Sequence, residues 1–247
     1  MNQRPHLPNA PIAEAVLDMQ VQLPASIRLG HLETMHRDIK DRYPNRRTRH
    51  RVEVNIRLEG EGPPITRPKE DGYLFQSRDG RKIVQARLDG FSFSQLKPYE
   101  TWETLRDEAK DLWARYVDIG HPDHIERIAL RYINRMELPL PITDFKEYVR
   151  TAPEIAPDVP QAVQNFFLRL EIPYADGSLA IVTETIQPAD DPANAKTLPL
   201  ILDIDVIRVE RFAAPFTEIW EKFEALRRMK NDIFFSTITR RAEALFQ

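Results

Sequence analysis

The chain has 247 residues and a net charge of −3, from 35 Lys and Arg against 38 Asp and Glu. So even a balance gives no case for general electrostatic attraction to nucleic acid or to an anionic membrane. The chain contains no cysteine, which excludes disulfides, thiol catalysis and cysteine-held metals.

The first residues, MNQRPHLPNAPIAEAV, show no signal-peptide pattern, and no stretch approaches the ~20 apolar residues that span a bilayer. The expectation is a cytoplasmic protein without membrane contact. Pro5, Pro8 and Pro11 predict an extended lead-in. From Ile12 to Leu23 apolar and polar residues alternate, with Glu14, Asp18, Gln20 and Gln22 on the polar side, which predicts a half-buried strand. Ile27, Leu32, Met35, Ile39 and Tyr43 then follow helical spacing, and Pro44 stops the helix. The basic run Asn45–Arg51, NRRTRHR, reads as a loop feeding a second strand at 52–58, and 59–72 reads as a surface loop rich in Gly, Pro and charge.

Two Asp-Gly pairs, 79–80 and 89–90, punctuate the strand formers of 73–96, and the positive φ such turns require predicts a three-stranded meander. A helix follows, with Trp102, Leu105, Ala109, Leu112, Trp113 and Tyr116 on one stripe, ending at Gly120 and Pro122.

The second half opens on the most regular strand, Arg127–Leu138. Ile128, Leu130, Tyr132 and Met136 share one face, and Arg127, Arg131, Arg135 and Glu137 share the other. Asn134 falls on the apolar face, where its amide needs partners, for instance at a helix end. A short helix around DFKEYV, a hairpin turning at Asp176-Gly177 and a long loop at 188–199 lead into LDIDVIR, where Asp203 and Asp205 share one face. The chain closes on helical residues 216–246, with a bend expected near Asn231-Asp232.

Each strand has one apolar face. The chain therefore reads as α+β: a large curved antiparallel sheet with helices packed on one face. It is expected to be a single domain over 1–247, with pattern halves 12–120 and 121–247 that repeat a strand-helix-strands-helix unit. That order is similar to the saddle of TATA-binding proteins and to helix-grip ligand-binding folds, and such likenesses carry fold and not function.

The phrases PNAPIAEAVLDMQ, GYLFQSRDGRKIVQARLDGFSFSQLKPYETW, RYINRMELP, LDIDVIR and KNDIFFSTITRRAEALF together resemble a sporadically distributed bacterial family of about this length. The likeness runs nearly end to end. The family has no established activity to carry over, and its scattered occurrence implies an accessory gene of the defence or toxin–antitoxin kind.

Two side-chain sets are candidate sites. Arg131 and Arg135 are expected to pair with Asp203 and Asp205 across neighbouring strands, forming either a lattice of exposed ion pairs or a ligand- or partner-binding surface. Arg46, Arg47, Arg49 and Arg51 are the candidate contacts for an anion or nucleic acid, or else a solvated loop neutralised by Glu59 and Glu61. Neither a glycine-rich phosphate loop nor G-x-S-x-G occurs. His121 and His124 lack further ligands, and His31 and His36 miss the helical zinc spacing. No catalytic residue, metal site or cofactor is assigned.

Three readings stay open. One is a non-catalytic interaction or regulatory module that binds a protein partner or itself. The second is a helix-grip ligand-binding or enzymatic domain with a charged pocket on the sheet. The third is nucleic-acid binding through residues 45–51.

Overall fold

In a computed structural model, residues 7–55, 65–160, 163–187 and 194–247 are described. Nine strands form one curved, open antiparallel sheet in the order β2-β3-β4-β5-β1-β6-β9-β8-β7. They are β1 Ile12–Gln22, β2 Asn45–Asn55, β3 Ile65–Gln76, β4 Lys82–Arg87, β5 Gly90–Leu96, β6 His124–Pro139, β7 Phe167–Pro173, β8 Ser178–Ile186 and β9 Thr197–Ala213. The helices are α1 Leu29–Glu33, α2 Met35–Ile39, α3 Trp102–Gly120, α4 Ile219–Thr237 and α5 Arg240–Glu243.

The order reads alike outward from the β1–β6 pair at the centre. In each half the last strand, β5 or β9, returns beside the first, and a 19-residue helix follows. Among the described strands only β2 has no counterpart. Hydrogen-bonded pairing of β1 with β6, from Ile12↔Asn134 to Gln22↔His124, makes the sheet continuous across the two halves.

The period of two decides which side is covered. Ala15, Leu17 and Met19 of β1, Phe91 and Phe93 of β5, Leu130 and Tyr132 of β6, and Leu202, Ile204 and Val206 of β9 are buried in one cluster with the apolar stripes of α3 and α4. Each large side chain withdrawn in this way is worth about 1.5–3 kcal/mol. The stripes at Leu105, Leu112 and Tyr116 and at Phe223 and Leu226 are the ones the helical spacing marks.

Several local expectations are corrected. The basic run 45–51 is strand and not loop: it forms most of β2 and pairs with β3 along its length. Arginine stems tolerate a sheet edge, and charges there discourage pairing with other chains. β3 begins at Ile65, inside the stretch expected to be loop. The first helix is two short pieces, with Thr34 between them bonding its hydroxyl back to the His31 carbonyl. α4 runs straight through Asn231 and Asp232, because Lys230, Ile233 and Phe234 are buried on both sides of that pair, and packing overrides a small propensity cost. The break falls instead at Ile238. The strand expected at 52–58 is present as far as Asn55 within β2, and its residues 56–58, with Glu59 and Glu61, lie outside the described residues.

The opposite edge, β7, is unlike β2. Phe167, Leu170 and Ile172 are exposed along it, and an Arg169–Glu171 pair is its charged feature among the described residues.

Candidate partner-binding face

The uncovered face of the sheet carries the charges, and register shows how they are laid out. One row of cross-strand partners runs Arg49↔Gly72↔Arg87↔Gly90↔Gln20↔Arg127↔Val209, across β2, β3, β4, β5, β1, β6 and β9. Arginines are separated in it by glycine or glutamine. A Cβ on Gly90 would overlap the Met19 carbonyl and the Arg87 guanidinium, and one on Gly72 would overlap the Ala86 carbonyl. Gly90 does not serve the turn as expected: it lies in β5, and among the described residues the positive-φ glycines are Gly80 and Gly177. Its role is to leave the sheet bare, so that Arg87 reaches over β5 to β1.

Arg87 is the hub. Its Nη2 lies 2.8 Å from Asp18 Oδ1 and its Nε 3.1 Å from Asp89 Oδ1, with only 12% of the side chain exposed. Arg127 holds the other Asp18 oxygen at 3.0 Å, and Arg51 holds the other Asp89 oxygen at 3.2 Å. The result is a chain Arg127–Asp18–Arg87–Asp89–Arg51. Burial works against the charge on Arg87, yet Asp18 and Asp89 hold its guanidinium above its ordinary value. Arg49 is bound to Asp71 at the side. These residues, Asp71 excepted, and Gln20 line a groove of about 310 Å³. The lining offers charge and hydrogen-bond donors, with no histidine or hydroxyl group to relay a proton near neutrality.

The expected Arg/Asp rows are neighbours, since β6 pairs with β9 from Pro139↔Thr197 to His124↔Ala213. Arg131 grips Asp203 with a two-pronged contact of 2.8 and 2.5 Å, which raises the Arg131 pKa. Asp205 stands directly opposite Arg131, but among the described residues it forms no ion pair and its buried Oδ1 has no hydrogen-bond partner. Burial pushes its pKa up, against the pull of Arg127 and Arg131. Arg135 pairs with neither aspartate. Its partner across the ladder is Ile201, and it turns to Glu137 at 2.8 Å and Gln187 at 2.6 Å.

The four arginines of β2 do not act as one cluster, because a strand sends alternate residues to opposite faces. Arg46 sits opposite Phe75 and turns to the helix side, bonded to Glu33 and lying over the Tyr73 ring. Arg47 is exposed opposite Leu74, on the same side as Arg49. Arg49 and Arg51 are bound to Asp71 and Asp89.

Asn134 is buried, and its amide donates to the carbonyl of its cross-strand partner Leu202 at 2.9 Å rather than to a helix end. Among the described residues no three His, Asp or Glu side chains gather to hold a metal, and no helix is long and apolar enough to cross a membrane. No family model matches the chain, and no curated protein matches it at a significant level.

Sequence reasoning passed over Arg87, Lys230 and Glu184. Arg87 gave no signal, since its role depends on which strands adjoin. The other two were visible as charges on apolar stripes: Glu184 between Val182 and Ile186 in β8, and Lys230 between Leu226 and Phe234 in α4.

Proposed function

We propose that this protein is a non-catalytic protein-interaction module, and that it docks an acidic segment of a partner protein on the open sheet face over the arginine–glycine row. The groove carries the reading. It presents four guanidinium groups against the carboxylates of Asp18 and Asp89. Each guanidinium has five N–H donors, and in this network Arg127 and Arg51 each spend one on a carboxylate. Spare donors on a pre-formed rigid sheet are what a partner's carboxylates need, and steering by charge favours their arrival.

Nucleic acid suits the face less well. Acids alternate with the arginines, and the groove lining contains no aromatic ring on which a base would stack.

The test is co-purification from the native host under gentle conditions, with wild type and an Arg47→Glu/Arg51→Glu variant. The expected result is a partner crosslinked through an acidic segment to the groove strands, released by high salt and lost in the variant. Recovery of free monomer alone, or capture indifferent to the two charge reversals, overturns the reading. Nuclease-sensitive material bound in place of protein would replace it with the nucleic-acid alternative.

A further inference from the structure

On the other side of the sheet, a cleft of about 1370 Å³ opens where the N-terminal lead-in, the start of α3, β6 and α4 meet. Lys230 of α4 lines it, although only 9% of that residue is exposed. Its ammonium lies 3.8 Å from the centre of the Tyr132 ring, and among the described residues it forms no hydrogen bond or ion pair. Cation–π attraction of this sort offsets part of the loss of hydration, but a desolvated ammonium still calls for an anion.

Among the described residues no carboxylate pairs with it, although Glu100, Glu103 and Asp232 also line the cleft. The charge on α4 that acts on it is Arg227, one turn earlier, which is itself shared between Glu103 and Glu224 at 3.5 Å each. From β6 the neighbour is Tyr132, whose hydroxyl is 2.9 Å from that of Tyr99. Two hydroxyls that share one hydrogen bond leave one O–H free to donate. Burial pushes the Tyr99 pKa up to about 12, so it stays a donor throughout the physiological range. Trp102, Ile12 and Phe234 add apolar wall. The lining thus sets a buried ammonium and a spare hydroxyl donor side by side against an apolar wall, and it also includes the charged side chains of Lys97, Glu100, Glu103, Arg228 and Asp232.

We propose that this cleft is a binding site for a small amphiphilic organic acid, whose carboxylate pairs with Lys230 and accepts from the Tyr99–Tyr132 hydroxyl pair while its apolar body lies against Trp102 and Phe234. A monocarboxylate matches a single buried ammonium. A phosphate would bring a second charge and a larger hydration shell to a single buried ammonium. Burial, with Arg227 adding repulsion, holds the Lys230 pKa down to about 7, so a bound carboxylate would also draw a proton onto the amine. The site is separate from the open face and stands or falls independently of it.

The test is calorimetric titration of the full chain with phenylacetate and with decanoate, using phenylacetamide as the uncharged control. At least one acid binds and the amide does not. Lys230→Met weakens binding by at least about tenfold and Tyr99→Phe by about threefold, while Arg51→Glu changes nothing. In ¹⁵N-lysine-labelled wild-type protein, the Lys230 amine signal moves on adding the acid and not on adding the amide, which reads the contact without any substitution. Failure of both acids to bind at millimolar concentration, equal binding of acid and amide, or full binding by Lys230→Met overturns the proposal.

Discussion

The two faces of the sheet treat charge in opposite ways. On the open face, carboxylates and guanidinium groups meet in chains and forks, as at Arg127–Asp18–Arg87–Asp89 and Arg131–Asp203. On the helix side Lys230 and Glu184 are buried without a charge partner among the described residues, and neither Glu184 oxygen has a hydrogen bond there. A paired exposed charge contributes little to stability and much to recognition. A lone buried charge lowers stability outright, so keeping it needs another reason. At Lys230 the proposed ligand cleft would supply one; at Glu184 nothing among the described residues does.

The strongest way to break this contrast is the pH dependence of stability. An unfolded lysine stays charged up to 10.5, whereas Lys230 in the fold releases its proton near 7. Its penalty is therefore full below pH 7 and fades as pH rises from 7 to 10.5. Burial lifts Glu184 from 4.5 to about 7, so its penalty is absent below 4.5, grows up to pH 7 and stays full above. The two slopes oppose each other and predict a stability minimum near neutral pH in urea titrations. Lys230→Met should raise stability at pH 6 by something on the order of 4 kcal/mol. Glu184→Gln should raise it at pH 8 by about 2–3 kcal/mol. A flat profile, or a maximum at pH 7, would mean that these charges have partners and that the two faces do not differ.

Next in size is the hub of the open face. Arg87→Ala leaves Asp18 and Asp89 facing each other and should cost about 2–4 kcal/mol, largely recovered when Asp18→Ala is added. Gly90→Ala should cost about 1–3 kcal/mol through its overlap with the Met19 carbonyl and Arg87. If Gly90→Ala is neutral in thermal melts, the bare row is incidental.

A smaller effect is expected at the fork. Arg131→Ala and Asp203→Ala should be less than additive, with a coupling of about 1 kcal/mol or below, because Arg131 is 47% exposed. Strict additivity would show that the fork is a surface arrangement without energetic weight. Least of all, Arg51→Glu should shift stability by no more than about 0.5 kcal/mol, and its effect should appear only in partner binding.

Much of the architecture was legible because its signals are local. Asp79-Gly80 and Asp176-Gly177 mark true hairpin turns, and the alternation around Leu130 and Ile204 fixes which face is covered. The first part of β2, 45–51, was missed because a run of arginines looks like solvent-exposed loop, and only its pairing with β3 makes it a strand. The charged groove was not legible at all. Asp18, Arg87 and Arg127 are far apart in the chain, and their meeting depends on the register of β4, β5, β1 and β6 together. Asn134 and Lys230 stood on apolar stripes, where their types are conspicuous, but their surroundings could not be read from the stripe. The same holds for Arg135, whose choice of Gln187 over Asp205 is made by a residue beyond β8.

The central place of β1 also bears on how the chain reaches its fold. Leu17 lies beside Phe93 on one side and Leu130 on the other, both far along the chain. During synthesis β1 emerges first among the strands and waits, its apolar face uncovered, until β5 and then β6 have been made. Closing loops of that length before any reward is collected makes for slow folding. The interval in which Ala15, Leu17 and Met19 stay unprotected is when a nascent chain of this protein is most open to chaperone capture or to misassembly with its neighbours.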